Sequence, residues 1–398
     1  MDETETEQTT AEASRWLAVG RSDQPDARSA GAAAAAEALE ADDAKLLVVF
    51  CSDSYDLEQL LAGVRAKSGD VPLIGCSTAG EIAASGPGDA GVVITAFGGP
   101  GFSASTAAAT EASSHLRGAG AQAAACIEEV DHREHRVLLV LTDGLAGDQQ
   151  EIVRGAYSIV GAAIPLVGGC AGDDLRMKAT FQLHDGQVLS NAVVAAALSS
   201  ETPFGIGVRH GWRRLGEPML VTRSAGNRVY EIDDAPALDV YLDHLDPPAE
   251  VRTDAAAFTR FAQTHPLGLA ARRGEEHVRF IAEADFDERS LVCIAQVPQG
   301  ARAWLMEGDD ESVLDATDAA CGDALDALGD HPPLGVLAFD CIARRGILGD
   351  EGIRTEVARV ASNVGDVPVA GFYTYGEIAR THGVSGFHNQ TLVVLAVA

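Results

Sequence analysis

The chain has 398 residues and carries 59 acidic against 29 basic side chains, a formal net charge of −30 at neutral pH. Such a charge repels nucleic acid and anionic membranes, so we expect neither as a partner. The apolar fraction of 46% is typical of a folded globular protein, and the length predicts two or three domains. The sequence shows no signal peptide and no apolar run of about 20 residues, so we expect a cytoplasmic protein without a membrane span.

The basic side chains are almost all arginines, and the only lysines are Lys45, Lys67 and Lys178. Dense surface carboxylates are tolerable where concentrated salt screens charges over a few ångströms. The composition therefore favours a halophilic source, and the alternative is an ordinary acidic protein.

The first copy of a repeated unit follows a stretch, residues 1–22, that we predict to be a disordered acidic tail. A helix at about 25–41 precedes the apolar run LLVVF (46–50), a polar loop and an amphipathic helix. Next comes the string VPLIGCSTAGEI (71–82), and the strand GVVITAF (91–97) closes the copy. Short continuous apolar runs of this kind are typical of strands buried on both faces.

Two further copies repeat this order. The second has a helix at about 111–130, VLLVL (137–141), IPLVGGCAGDDL (164–175), a hairpin turning at Asp185-Gly186, and NAVVAAAL (191–198). The third has a helix at about 310–328, GVLAF (335–339), the loop DCIARRGILGD, an amphipathic helix, VPVAGFYTYGEI (367–378) and TLVVLAV (391–397). Each module is therefore predicted as helix, strand, helix, strand, hairpin, strand.

The segment between the second and third copies has a different pattern. Residues 204–232 alternate like paired strands, 235–245 predict a helix, and 278–306 predict a three-strand meander. We therefore predict an α/β fold of mixed α+β character, with βαβ-type modules in two layered α/β domains and an antiparallel β insertion between them. The predicted domains are residues 23–225 and 226–398.

Ligands of open α/β sheets bind at the carboxyl ends of the strands, where the polar ends of the repeated strings lie. Only the third copy replaces small residues with Tyr373 and Tyr375. An arginine there can grip a carboxylate, Glu377 can accept from an ammonium, and the tyrosines can pack on apolar atoms. We predict a site for a small zwitterion, with the candidate residues Arg344, Arg345, Tyr373, Thr374, Tyr375, Glu377, His388 and Asn389.

Residues of the first two copies and of the basic patch at 209–214 are secondary candidates: Ser77, Thr78, Glu81, Asp143, Asp174, Arg209 and His210. The alternative is structural. The glycines and threonines then only form turns, and Glu81, Asp174 and Glu377 cap helices or face solvent. Arg345 and Glu377 then pair with each other, and the basic patch at 209–214 forms salt bridges instead of binding an anion at a domain interface.

The sequence contains only weak signals of a catalytic site. Cys170 or Cys341 could act as a nucleophile with His210 or His388 as base, but buried thiols are the simpler interpretation. The sequence has no GxSxG elbow, CxxC pair, P-loop or dinucleotide fingerprint. The stretch DHREH (131–135) favours a solvated connector over a metal site. We expect no metal and no cofactor.

Several motifs, in this order, carry a family resemblance: GIGVRHGWRRLGEPMLVTRSAGNRVYEIDDAPALDVYL, HPLGLA (265–270), FDCIARRGILG, and VPVAGFYTYGEI with FHNQTLVVLAV. Together they resemble FIST proteins, in which a FIST N domain precedes a FIST C domain. The resemblance implies an intracellular sensory module that binds small ligands such as amino acids. Because no kinase, cyclase or methyl-accepting segment is evident, we expect the output to pass through a separate signalling protein. The alternatives are a Cys-dependent enzyme acting on a small metabolite and a non-catalytic interaction scaffold.

Overall fold

The computed structural model describes residues 14–270, 276–381 and 386–398. The predicted modules are present, and each begins with an edge strand; the sequence did not indicate this strand in the first two modules. Module 1 consists of β1 (Trp16–Ser22), α1 (Ala27–Ala38), β2 (Ala44–Cys51), α2 (Leu57–Ser68), β3 (Leu73–Ser77), β4 (Glu81–Ala83), β5 (Gly86–Gly88) and β6 (Val92–Gly98). Module 2 consists of β7 (Phe102–Ala109), α3 (Leu116–Ala124), β8 (His135–Thr142), α4 (Gln149–Val160), β9 (Leu166–Cys170), β10 (Phe181–His184), β11 (Gln187–Ser190) and β12 (Val193–Ser200).

Module 3 is interrupted after its first strand, β13 (Phe204–Arg209), by an insertion. The insertion contains β14 (Arg213–Ala225), β15 (Arg228–Ile232), β16 (Ala235–Pro236), α5 (Ala237–Leu245), α6 (Ala255–Ala262), β17 (Leu267–Ala270), β18 (Glu276–Arg279), β19 (Ile281–Asp285), β20 (Ser290–Cys293) and β21 (Arg302–Glu307). The module resumes with α7 (Asp310–Asp326), β22 (Gly335–Cys341), α8 (Ile342–Val364), β23 (Val369–Thr374), β24 (Glu377–Arg380), β25 (Phe387–His388) and β26 (Leu392–Val397).

The modules exchange their hairpins in a closed cycle. The hairpin of module 1, β4–β5, extends the sheet of module 3 in the order β13-β26-β22-β23-β4-β5. The hairpin of module 2, β10–β11, extends the sheet of module 1 beside β3. The hairpin of module 3, β24–β25, extends the sheet of module 2 beside β9. Each six-stranded sheet therefore needs a hairpin from another module, and the insertion forms a separate antiparallel sheet.

The central strands are buried on both faces, as their apolar runs predict. Alternate residues of β2 face helices α1 and α2, whereas Leu46, Val48 and Phe50 face a core shared with the other modules. In that core, Phe50 packs against Phe372 of β23 with ring centroids 4.6 Å apart, and Phe339 of β22 meets both rings edge-on. The side chains that face away from the helices thus join the three sheets in one apolar interior.

Some sequence predictions are wrong. The predicted disordered tail, residues 1–22, is too long, because its last seven residues form β1, which pairs with β6. Residues 1–13 lie outside the described part of the chain. The segment 340–350 is not a loop, since α8 begins at Ile342 and breaks only at Gly349, whose φ of 62° suits glycine. The predicted meander at 278–306 fails because β21 pairs with β14 and β17 instead of β20.

The boundary predicted near residue 225 falls at the end of β14, within the insertion, and stays a prediction. The alternation at 204–232 does mark strands, but β13 pairs with β26 at the far end of the chain instead of with its neighbours. Among the described residues, no helix has both the length and the apolar character that a membrane crossing requires.

Candidate functional site

The polar ends of the three repeated strings meet at one place. We call this place the junction and define it as residues 77–80, 170–173 and 373–376. Backbone hydrogen bonds connect all three strings; among them are Gly172 N–H to the Ser77 carbonyl (3.0 Å), Tyr373 N–H to the Gly80 carbonyl (2.8 Å), and Cys170 N–H to the Gly376 carbonyl (2.8 Å). The Ser77 hydroxyl also donates to the Gly172 carbonyl (2.8 Å). The string recurs because each copy of it bonds to the next module.

Glu81 and Glu377 occupy equivalent positions beside the junction, and both are buried. Thr78 donates to Glu81 and Thr374 donates to Glu377, each with an oxygen–oxygen distance of 2.6 Å. The second oxygen of Glu377 accepts from the backbone and hydroxyl of Thr391. Burial raises the pKa of each glutamate to about 7, although these hydrogen bonds oppose the shift. Neither glutamate caps a helix, faces solvent or pairs with Arg345; both bind loops inside the protein.

In module 2 the buried acid is Asp173, one position earlier than the repeat alignment suggests. Its carboxylate accepts the Tyr375 hydroxyl and the backbone N–H groups of Met177, Lys178 and Ala179. In the second string the glycine, Gly172, comes one position earlier than in the other copies, and the acidic residue that follows it is therefore Asp173. Asp174, the residue that sequence reasoning selected, is exposed.

Asp143 also has a loop-binding position. It is buried and accepts from the backbone N–H groups of Leu145 and Asn191 and from the hydroxyl of Thr180 (all 2.8 Å). These bonds tie the end of β8 to the start of β12, so its oxygens are occupied within the protein.

Arg344 is completely buried and belongs to an internal ion network. Its guanidinium donates to Asp340 (2.8 Å), Glu356 (2.5 Å) and the hydroxyl of Thr317 (2.9 Å), and also to two backbone carbonyl groups. Burial raises the pKa of Asp340 well above its usual value, and the charge of Arg344 opposes that shift. Asp340 lies near the end of β22 and Arg344 in the first turn of α8, so the turn from strand to helix brings the two side chains together. Arg344 therefore stabilises the fold and does not face the predicted ligand site.

Arg345, one residue later, lies at the junction. Its guanidinium lies 5.1 Å from the ring centroid of Tyr373, donates to the Ala79 carbonyl (2.6 Å) and pairs with Asp89. The Asp89 side chain is 72% exposed, whereas that of Arg345 is 18% exposed. A β-carbon on Gly80 would come 2.2 Å from the guanidinium, so the glycine of the string makes room for this arginine.

A strained loop borders the same place. Asp174, Leu175 and Met177 have φ values of 52°, 59° and 52°, in the left-handed region that non-glycine residues rarely adopt. The bonds of Asp173 fix the loop, and so does the hydroxyl of Tyr375, which accepts from the Leu175 N–H (2.6 Å). Leu175 and Met177 are among the most exposed large apolar side chains of the described chain, at 61% and 58%. The structure thus joins Arg345, Tyr373, Tyr375 and Asp174 at the junction.

The other predicted residues lie elsewhere. His388 of β25 pairs with Glu377 of β24, and its ring lies 5.6 Å from the ring of His277 of the insertion, whereas Asn389 is buried. His210 lies 3.8 Å from Glu276, and Arg209 forms a salt bridge with Asp323 (2.6 Å). The two ends of the predicted zwitterion site are therefore split between two regions.

All seven cysteines are buried. Burial raises the pKa of the Cys170 thiol to about 12, and the Thr142 hydroxyl donates to its sulfur (3.1 Å). The Cys341 thiol is shifted in the same direction for the same reason. A buried thiol of raised pKa is a poor nucleophile at neutral pH, so these positions give the enzyme alternative no support.

Sequence reasoning missed Asp89, Asp173, Asp340 and Glu356 near the junction, and His277, whose ring lies near that of His388. Two of these residues carried a local signal: Asp173 follows the shifted Gly172 of the second string as Glu81 follows Gly80, and Asp340 lies four residues before Arg344. The others come from segments outside the repeated strings, and no spacing relates them to those strings.

These features define a class of α/β protein in which three modules exchange hairpins around one junction and an antiparallel sheet is inserted into the third module. The chain belongs to the FIST family: residues 45–235 match the FIST N domain and residues 237–380 match the FIST C domain. FIST domains are sensory domains of signal transduction.

Relatives at about one-quarter identity occur in archaea and bacteria. An uncharacterized protein of Methanocaldococcus jannaschii is 26% identical over 289 residues, which are 67% of this chain and 54% of that protein. An uncharacterized protein of Mycobacterium tuberculosis strain H37Rv is 25% identical over 396 residues, covering 94% of this chain and 97% of that protein. The chain therefore spans about half the length of the archaeal relative and nearly all of the mycobacterial one.

Proposed function

We propose that this protein is a sensor that binds a small zwitterion of the amino-acid type at the junction and passes the signal to a separate protein. The observation that carries the proposal is the position of Arg345 over Tyr373, with the exposed Asp89 as its carboxylate partner. Exposed ion pairs contribute at most about 1 kcal/mol. A ligand carboxylate can therefore replace Asp89 at small cost and accept two parallel hydrogen bonds from the guanidinium.

Asp174 supplies the opposite charge for the ligand ammonium. Although Asp174 is exposed, neighbouring atoms remove part of its hydration and raise its pKa, and the nearby positive charge of Arg345 opposes that shift, so the two side chains are electrostatic neighbours. Asp174 belongs to module 2, Arg345 to module 3 and Asp89 to module 1. A zwitterion between them would contact all three modules, which is where a binding event has the widest effect on the assembly.

The strained loop provides a route for the signal. Left-handed non-glycine residues cost of order 1–3 kcal/mol each, and they persist only when surrounding contacts enforce them. Here the enforcing contacts are the bonds of Asp173 and Tyr375, next to the residue that would bind the ammonium. When a ligand ammonium binds the Asp174 carboxylate and shifts this loop, the exposed fraction of the Leu175 and Met177 side chains changes. We propose that these two side chains present an apolar surface to a signalling protein.

Calorimetric titration with individual amino acids in concentrated salt tests the site. Arg345→Gln should abolish binding, and Asp174→Asn should weaken it, while both variants keep the wild-type fold. Arg354→Gln is the matched control, because Arg354 is exposed on the same helix. A ligand at about 100 times its Kd should also stabilise the wild type by about 2.7 kcal/mol. Wild-type affinity in Arg345→Gln would show that the junction is not the ligand site.

The scaffold alternative has one observation in its favour. The polar groups of the repeated strings already satisfy each other through the threonine–glutamate pairs and the backbone bonds of the junction. Failure of every amino acid to bind, combined with capture of a partner that depends on Leu175 and Met177, would support a scaffold over a sensor.

A further inference from the structure

Two carboxyl groups and one guanidinium meet in the interior of module 3. Arg344 donates to Asp340 through Nε (2.8 Å) and to Glu356 through Nη2 (2.5 Å). None of the three side chains is more than 3% exposed, and we call Asp340 and Glu356 the carboxyl pair. If both carboxyl groups were ionised, one negative charge would remain uncompensated in the interior. Such a charge is costly, so a second cation or a proton has to remove it.

The ionisable neighbours of the carboxyl pair supply no second cation. Four of them interact electrostatically with one or both of its members, namely Cys321 of α7, Cys341 of β22, Tyr373 of β23 and Glu377 of β24. All four are neutral or negative in every protonation state. Arg345 lies over the Tyr373 ring but pairs with Asp89. Within the described chain, Arg344 is the one cation within 4 Å of the pair, which leaves a proton as the means of neutralising it.

The hydrogen bonds distinguish the two members of the pair. Glu356 Oε1 accepts from Arg344 and also from the Thr317 hydroxyl (2.8 Å). Among the described residues, Asp340 Oδ1 accepts from Arg344 alone, and the second oxygen of each group has no donor. Hydrogen-bond donors favour the ionised form of a carboxyl group, so Glu356 keeps its charge more readily than Asp340 does. Burial and the charge of Glu356 raise the pKa of Asp340 well above its usual value, and a hydrogen bond to Glu356 adds to the shift.

We propose that the carboxyl pair is a proton-binding site, in which Asp340 keeps its proton at neutral pH and donates it in a hydrogen bond to ionised Glu356. The site is then neutral as a whole, because protonated Asp340 lies beside the ion pair of Arg344 and Glu356. The proton also supplies a donor that the pair otherwise lacks. This inference does not depend on the function proposed for the junction.

The proton-binding site lies directly behind the junction. Asp340 and Tyr373 are partners in the register of β22 and β23, so their side chains lie on the same face of the sheet. The buried Tyr373 hydroxyl finds no acceptor in the described part of the chain, although both carboxyl groups influence it. Loss of the proton from Asp340 offers this hydroxyl a charged acceptor. Because the Tyr373 ring lies under Arg345, the protonation of the pair is linked to the junction through one side chain.

Infrared spectroscopy of protein with isotope-labelled aspartate carboxyl groups tests the proposal. The carbonyl band of a protonated aspartic acid should persist at about pH 7, where ordinary aspartates are ionised. The band should vanish in Asp340→Asn, which removes the group that holds the proton. It should also vanish in Glu356→Gln, because Asp340 is then the one carboxylate left to pair with Arg344. Asp315→Asn is the matched control at an exposed position of α7, and it should keep the band.

The pH dependence of unfolding in urea gives a second measurement. The unfolded chain loses the Asp340 proton near pH 4 whereas the folded protein keeps it, so stability falls as the pH rises. One such proton raises the unfolding equilibrium constant tenfold per pH unit. Asp340→Asn and Glu356→Gln should each remove this tenfold dependence between about pH 5.5 and about pH 7. The double variant should remove no more, because the proton belongs to the pair.

The wild-type protein alone keeps the proposal open to refutation if Asp340→Asn does not fold. Absence of the labelled aspartic acid band from the wild type at neutral pH would overturn the proposal. A band that survives in both Asp340→Asn and Glu356→Gln, or an unchanged pH dependence of unfolding in either variant, would also overturn it.

Discussion

Replacing Arg344 with methionine should lower the free energy of unfolding by several kcal/mol, although Arg344 looks equivalent to its neighbour Arg345 in the sequence. The substitution keeps an unbranched side chain of similar reach but removes the only cation that contacts Asp340 and Glu356 within 4 Å in the described chain. Among the described residues, Asp340 Oδ2 and Glu356 Oε2 already have no hydrogen-bond donor. Removing one partner of a buried ion pair costs about 3–5 kcal/mol, because a buried charge is left uncompensated. That is a large part of a total stability of about 5–15 kcal/mol.

The penalty should also depend on pH. Burial and the charge of Glu356 raise the pKa of Asp340, and Arg344 is the charge that lowers it. Without Arg344 the folded-state pKa of Asp340 rises further above its unfolded value. A group of this kind contributes stability at low pH that is lost as the pH rises through the folded-state pKa. The difference between wild type and Arg344→Met should therefore be larger at about pH 8 than at about pH 5.

Urea denaturation followed by circular dichroism, in concentrated salt and at both pH values, measures these differences. Arg359→Met is the matched control, because Arg359 lies on the same helix and pairs with Asp315 and Asp318 near the surface. Such pairs contribute about 1 kcal/mol or less. Equal costs for the two substitutions, or a cost at Arg344 that shrinks as the pH rises, would refute the assignment of Arg344 to a buried ion network.

Three further predictions concern other features. Thr374→Val should destabilise the protein by about 1.5–3 kcal/mol, because it removes a hydroxyl donor from the buried carboxylate of Glu377. It should also raise the pKa of Glu377 above about 7, so that the free energy of unfolding falls more steeply as the pH rises. Urea denaturation at several pH values measures both effects, with Thr355→Val at an exposed position as the control. Gly63→Ala should lower the free energy of unfolding by about 1–3 kcal/mol, since its β-carbon would come 2.1 Å from the Arg28 carbonyl of the neighbouring helix. Gly322→Ala, which has open space around the new β-carbon, should raise it by up to about 1 kcal/mol in the same assay. Because 59 acidic side chains face only 29 basic ones, Tm should fall steadily from molar to millimolar salt, and constant melting in dilute buffer would contradict a halophilic origin.

The local architecture could be predicted from the sequence wherever the signal lies in neighbouring residues. Continuous apolar runs identified β2, β8 and β22, and the Asp185-Gly186 turn identified a hairpin. The first turns of α8 were missed because Gly346 and Gly349 interrupt the apolar periodicity, although the backbone departs from helical geometry only at Gly349. That single error made Arg344 and Arg345 look like equal members of a loop. On a helix, consecutive residues point about 100° apart, so one arginine is buried and its neighbour reaches the junction.

By itself, the sequence determined that three similar modules exist and where their central strands and most of their helices lie, because periodicity and turn chemistry are properties of neighbouring residues. Only the tertiary structure decided that each hairpin completes the sheet of another module. β4 pairs with β23 across almost 290 residues, and unsatisfied backbone groups at a sheet edge accept any strand of suitable shape. For the same reason the candidate sites were visible only in part. Arg345 comes near Asp89 and Asp174, and His277 near His388, through folding of the whole chain, which no local spacing encodes.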